Sequence, residues 1–270
     1  MNLLLAINYK FFSRSAKELV HLVEMMDHDR VVDGYEIMVD CQNKMEMDYL
    51  LELAYLAKER DFLLQVHSSS YDDIEIQKKF LDAVAECALV TGKTINIVYH
   101  PVTMEEDGCE SVALEKTNYL LSELLNYIYM KQYHLTLSLE NLDQRFGVTR
   151  LTKEQIEPVL YNNHDLYYTY DLGHEFRNHG AITDLDPIEV ERLNNVHLHR
   201  DEYYYKAHLP FQENDEDKEI WIKAIVYLKS LDYQKSVVLE YDFYLMEGST
   251  YEEQLEDYIH HATFLKPYLS

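Results

Sequence analysis

Six short apolar runs in this chain each end on a residue that can bind a metal or move a proton. The runs are LLQVH (His67), INIVYH (His100), LTLSLE (Glu140), YYTYD (Asp171), NNVHLH (His197, His199) and VVLE (Glu240). Every terminal residue is an imidazole or a carboxylate. A single His or Glu at such a place is more often a polar cap or a loop anchor, so the signal lies in the set. Carboxylates gathered at close range repel one another, and some must take up protons unless a cation sits among them. A divalent metal is the economical resolution. With no thiolate in the set, nothing singles out one metal. Zinc or manganese is the first expectation, with cobalt, iron or magnesium as alternatives, at one or two ions per chain. Glu140 and Glu240 would flank such a metal from different sides. Two carboxylates across a bound polyol can deprotonate one face of a carbon and reprotonate the other, which is an epimerisation, or an isomerisation with a carbonyl shift. The same ligands could instead activate water for hydrolysis.

These residues can meet only if the elements bring them together. β-rich runs are expected at 3–9, 35–41, 62–67, 95–100, 135–140, 167–171, 196–199 and 237–240. Helical periodicity falls between and after them, at 15–26, 44–60, 73–91, 114–130, 153–161, 187–193, 216–231 and 251–264. Thr152-x-x-Gln155 and Thr250-x-x-Glu253 match capping boxes, Gly92 suits a helix C-terminus, and Pro187 suits a first helical turn. Strands alternating with helices imply a parallel sheet with crossover helices. Eight such units predict an α/β chain folded as a single (β/α)8 TIM barrel spanning residues 1–270, rather than an open sheet. The strand C-termini of a barrel converge on one mouth, so the residues above would share one pocket.

Charge and composition narrow the partners. With 24 Lys plus Arg against 49 Asp plus Glu, the net charge is −25, which repels phosphate backbones and anionic membranes. Nucleic acid and membranes are therefore not expected as partners. No run approaches about 18 consecutive apolar residues, and the amino terminus reads as a strand rather than a signal peptide. Three separated cysteines (Cys41, Cys87, Cys109) fit no disulfide framework and no cysteine zinc motif, which points to a reducing cytoplasm. There is no GxGxxG and no GxxxxGK[ST]. The oligomeric state is not legible.

Taken in order, the strand ends resemble the xylose isomerase-like barrels, which include sugar and sugar-phosphate isomerases and epimerases and the endonuclease IV-type AP endonucleases. The matching pieces are His67 in VHSSSY, His100 in YHPVT, Glu140-Asn141 in SLENL, Asp171 and His174 in YDLGH, His197 in VHLHRD, His208 in KAHLPF and Glu240 in VLEYD. The resemblance implies Glu140, Asp171, His197 and Glu240 as one metal site. It implies His67 and His100 as the extra ligands of a second metal in the endonuclease branch, with Glu140 bridging. His174 and His208 match two ligands of that branch's third metal, and in the epimerase branch the position of His174 contacts substrate. Glu140 and Glu240 are implied to move protons on opposite faces of a sugar. The chain departs from the pattern at His199-Arg200, at Lys206 where an acidic ligand is usual, and at HLPFQEN where the family reads HLPLGEG. These departures put a third metal in doubt, and with it the phosphodiester cleavage that would depend on it.

The leading expectation is a metal-dependent isomerase or epimerase of a small sugar or sugar phosphate. The alternative is a metal-dependent hydrolase or AP endonuclease-like phosphodiesterase, and a third reading is a non-catalytic relative that keeps the barrel. The catalytic pair is Glu140 and Glu240. His174, His208, His199 and Arg145 are the candidate substrate contacts. Arg145, Arg150, Arg177, Arg200 and Lys206 gather after the later strands and suit an anionic substrate group, unless they pair with Asp143, Glu175, Asp201 and Glu202 nearby. Tyr203-Tyr204-Tyr205 could stack on a sugar ring or pack a loop.

Overall fold

The computed structural model describes residues 1–7, 21, 24, 31–68, 73–105, 109–144, 148–202, 206–210, 218–242, 248 and 250–270. The first half contains β1 (Asn2–Ile7), β2 (Gly34–Val39), α1 (Lys44–Arg60), β3 (Leu63–Ser68), α2 (Ile74–Thr91), β4 (Ile95–Tyr99), β5 (Met104–Glu105), α3 (Glu110–Lys131) and β6 (Leu135–Glu140). Then follow β7 (Val148–Thr149), α4 (Lys153–Asn162), β8 (Leu166–Asp171), α5 (Leu172–His179), α6 (Pro187–Arg192), β9 (Leu193–Leu198), β10 (Arg200–Glu202), β11 (Lys206–Leu209), α7 (Lys218–Ser230), β12 (Ser236–Leu239) and α8 (Tyr251–Leu269). Eight of these strands are parallel neighbours in a closed ring, β1-β12-β9-β8-β6-β4-β3-β2. The (β/α)8 barrel expected from the alternation is the fold. The expected helix at 15–26 lies outside the described residues, His21 and Glu24 excepted.

Side chains alternate across each strand, and the alternation separates two cores. Leu3, Leu5 and Ile7 of β1, Tyr35, Ile37 and Val39 of β2, and Leu64 and Val66 of β3 join the large apolar layer beneath the helices. Leu4, Ala6 and Val238 form a separate small cluster inside the ring. The other inward positions are polar and buried: Glu36, Gln65, Asn96, Ser138, Thr169 and Asn195. Buried polar groups need partners. Gln65 Nε2 donates to Ser236 Oγ at 2.9 Å, and Ser138 Oγ donates to Asn96 Oδ1 at 2.7 Å. Where many barrels fill the interior with Val, Ile and Leu, this one supports its mouth on a hydrogen-bonded polar layer.

The helix ends follow local chemistry. Asp73 Oδ1 accepts from the backbone N–H of Glu75 and Ile76, and Gly92 closes α2 at φ 68°. Both expected capping boxes form, and Asp186 with Glu189 makes a third at the start of α6. Tyr258 of α8 clamps the ring where its ends meet. Its hydroxyl donates to Leu239 O at 2.6 Å and accepts from Ala6 N–H at 3.1 Å.

Between β8 and β9 the structure differs from the expectation of one helix at 187–193. There are two helices, α5 and α6, and β9 begins at Leu193. The α5 run, LGHEFRNH, is short and polar, so it carries no apolar stripe to read. Asn194 and Asn195 looked like loop, yet Asn195 belongs to the polar barrel interior. Two antiparallel pairs, β5 with β7 and β10 with β11, stand beyond the strand C-termini. No helix among the described residues is long and apolar enough to cross a membrane.

Candidate metal and proton-transfer site

The strand ends bring the expected residues together. Glu140 closes β6, Asp171 closes β8, His197 lies at the penultimate position of β9, and Glu240 directly follows β12. One donor atom from each lies within 4.8 Å of the others, and all four residues are buried. His197 Nδ1 is the hub. It lies 2.9 Å from Glu240 Oε2, 3.4 Å from Glu140 Oε2 and 3.7 Å from Asp171 Oδ2. A second group shares Glu140. His67 Nε2 and His100 Nε2 face each other at 3.0 Å, and each is 3.4 Å from Glu140 Oε2.

Around these stand the candidate substrate contacts. His174 Nδ1 lies 3.0 Å from Asn141 O and 3.4 Å from Glu140 Oε1. His199 Nε2 is 2.9 Å from Asp171 Oδ2, and its ring stacks on that of His208 at 4.4 Å. His208 Nδ1 reaches to 3.8 Å of Glu240 Oε1 from a backbone at φ 57°, a left-handed conformation that few non-glycine residues adopt. Arg145 and Tyr203-Tyr204-Tyr205 lie outside the described residues, as do the side chains of Asp201, Glu202 and Lys206. Arg150 and Arg177 both pair with buried Asp143, the latter at 2.9 Å. Two of the five cations expected near an anionic substrate are therefore held by protein.

Asn141 is the residue whose weight the sequence reading missed. Its Oδ1 accepts from Asp171 N–H at 2.8 Å and from the Tyr168 hydroxyl at 2.9 Å, and its Nδ2 donates to Asp171 O at 3.0 Å. It ties the end of β6 to the end of β8 and so fixes Glu140 relative to Asp171. Asp171 is also the N-cap of α5, where Oδ1 accepts from His174 N–H at 2.6 Å. The Asp-Leu-Gly-His spacing in the sequence is the signature of that turn.

The electrostatics suit a bound cation. Burial pushes the Glu140 carboxyl up, but His197 and His100 outweigh it and hold the group well below the usual carboxylate range. Burial acts the same way on Glu240, and His197 and His208 likewise hold it low. For His197, burial disfavours the charged ring, while Glu36, Glu240 and Glu140 more than reverse this. His67 is lowered by burial and by His100 beside it. Both oxygens of Glu140, Oε2 of Glu240 and Nδ1 of His197 are buried with no hydrogen-bond partner among the described residues. Uncompensated polar atoms of this kind are costly. Four convergent oxygen and nitrogen donors left in that state fit a divalent metal, with Glu140, Asp171, His197 and Glu240 as its ligands.

No family model matches the chain, and no curated protein does. Solved structures do. A D-tagatose 3-epimerase-like protein superposes with a TM-score of 0.71 at 19% identity, over 100% of this chain and 97% of its own. The D-psicose 3-epimerase of Clostridium cellulolyticum H10 gives 0.71 at 14% identity, over 100% of both chains. A 3-keto-D-glucoside 4-epimerase from E. coli gives 0.65 at 14%, over 97% of this chain and 99% of that one. The fold is that of the sugar epimerase barrels. At these identities the likeness speaks for the fold, and the chemistry rests on the site itself.

Proposed function

We propose that the chain is a divalent-metal-dependent epimerase or isomerase of a small sugar or sugar phosphate. The observation that carries this is the placement of Glu140 and Glu240. They rise from β6 and β12, three strands apart around the ring, and enclose one set of metal-competent donors. The epimerases that share the fold act on compounds of this class, which supports the same class here. A cation held by Glu140, Asp171, His197 and Glu240, zinc or manganese first, would act as a Lewis acid toward a carbonyl or adjacent hydroxyls.

The chain's own residues supply the rest. Glu140 and Glu240 are held in their ionised form by neighbouring imidazoles, so each can accept a proton from a carbon acid. One takes the proton from one face of the carbon, and the other, protonated beforehand, delivers a proton to the opposite face. The two carboxylates then exchange roles for the reverse reaction. His174, anchored at Asn141 O, faces the same space and would orient a sugar hydroxyl. Burial of the whole set keeps water away from the deprotonated carbon.

Glu140→Gln and Glu240→Gln each keep the shape and remove the base. Each should lower kcat for ketose epimerisation by about 10²–10⁴-fold, with the circular dichroism spectrum unchanged. Near-wild-type turnover in either variant would contradict the proton-transfer assignment. The His67–His100–Glu140 group favours a second reading, metal-dependent hydrolysis, because it offers a place for a second cation. Two metals per chain together with cleavage of an abasic-site oligonucleotide would select that reading.

A further inference from the structure

Glu36 lies below the ligand set, inside the barrel. It is 1% exposed, and β2 presents it among the polar interior residues. Its Oε1 is 3.0 Å from His197 Nε2 and 3.6 Å from His67 Nδ1. Its Oε2 accepts a hydrogen bond from Asn195 Nδ2 at 2.9 Å. The opposite nitrogens of the same two rings, His197 Nδ1 and His67 Nε2, both lie 3.4 Å from Glu140 Oε2. Each imidazole therefore spans two carboxylates, Glu36 beneath and Glu140 above.

A neutral imidazole has one N–H and one lone pair. What its far nitrogen meets decides which side carries the lone pair. A proton directed at Glu36 leaves the lone pair directed at Glu140, where the cation would sit. Asn195 offers the opposite arrangement, because its Nδ2 also lies 3.1 Å from His197 Nε2. If Asn195 donated there, the proton would move to Nδ1 and His197 could not ligate. The charge of Glu36 decides the contest. A buried carboxylate 3.0 Å from the ring nitrogen favours an N–H at that nitrogen, and it engages Asn195 through its other oxygen.

We propose that Glu36 is a positioning residue that turns the lone pairs of His197 and His67 toward the metal site. This rests on the metal-dependent reading above and adds to it a residue outside the ligand set. Its departure from an ordinary barrel is chemical: an apolar side chain at 36 would fill the interior equally well but would leave both imidazoles without direction.

The test uses the full-length chain labelled with ¹⁵N-histidine, loaded with zinc near neutral pH, and needs no sugar. Long-range proton–nitrogen spectra of the wild type should show His197 protonated at Nε2 and bound to metal through Nδ1. Competition against a chelator should show zinc affinity falling by about 10- to 100-fold in Glu36→Gln. His197 protonated at Nδ1 in the zinc-loaded wild type would overturn the proposal, and that result does not depend on the variant folding. Wild-type zinc affinity in a folded Glu36→Gln would overturn it while leaving the metal-dependent reading intact. A wild-type chain that takes up no zinc, manganese or cobalt would overturn both.

Discussion

At the scale of single residues, Gly173 shows how closely the site is fitted. A Cβ at position 173 would collide with the ring of His199, the imidazole that reaches Asp171 Oδ2. Gly173→Ala gains helix propensity in α5, on the order of 1 kcal/mol, but must displace a buried ring that contacts a proposed ligand. Overpacking of this kind costs about 1–3 kcal/mol. A net loss of stability is expected in urea denaturation, together with weaker metal binding. Equal or greater stability would mean that His199 is not held there. The ligands themselves were legible in the sequence because each is a charged or imidazole residue closing an apolar run. Asn141 and Gly173 were harder to read. One acts through hydrogen bonds to a strand 30 residues away, and the other acts through an absence of atoms. Glu36 was harder still, because a lone acid inside a strand gives no sign of what lies above it.

At the scale of elements, the strands were legible to within a few residues and the main helices nearly so. The errors cluster between β8 and β9, where function intrudes on pattern. Asp171 is at once strand end, N-cap and proposed ligand, and the helix it starts is too short and polar for periodicity to register. The capping box of α6 supports a pH prediction. Burial pushes the Glu189 carboxyl up to about 7, with Lys153 Nζ 3.6 Å away only partly offsetting it. The folded chain thus keeps a proton that the unfolded chain releases at its ordinary value near 4.5. Folding stability from this group is fully present below that value and declines as pH rises through about 7. Glu189→Gln retains an acceptor for Asp186 N–H but loses the charge. Its denaturation midpoint should fall less across this window than the wild type's, a difference on the order of 1–3 kcal/mol. Parallel curves for the two proteins would contradict the assignment.

At the scale of the whole molecule, the barrel does two things for the site. Ring closure places Glu140 and Glu240 on separated strands facing one space, and the polar interior holds their imidazole partners from below. The net charge of −25 makes an uncharged sugar a natural guest and a phosphate backbone a poor one. Pairing of Arg150 and Arg177 with Asp143 points the same way. The most direct measurement is carbon-bound deuterium incorporation. Metal-depleted protein and protein reloaded with manganese or zinc would be incubated with ketopentoses and ketohexoses in D2O and followed by proton NMR. The account predicts that deuterium enters the carbon next to the carbonyl only in the reloaded protein, together with an epimeric or isomeric product. Reloaded protein that binds its metal yet exchanges no carbon-bound proton with any of these sugars would contradict it.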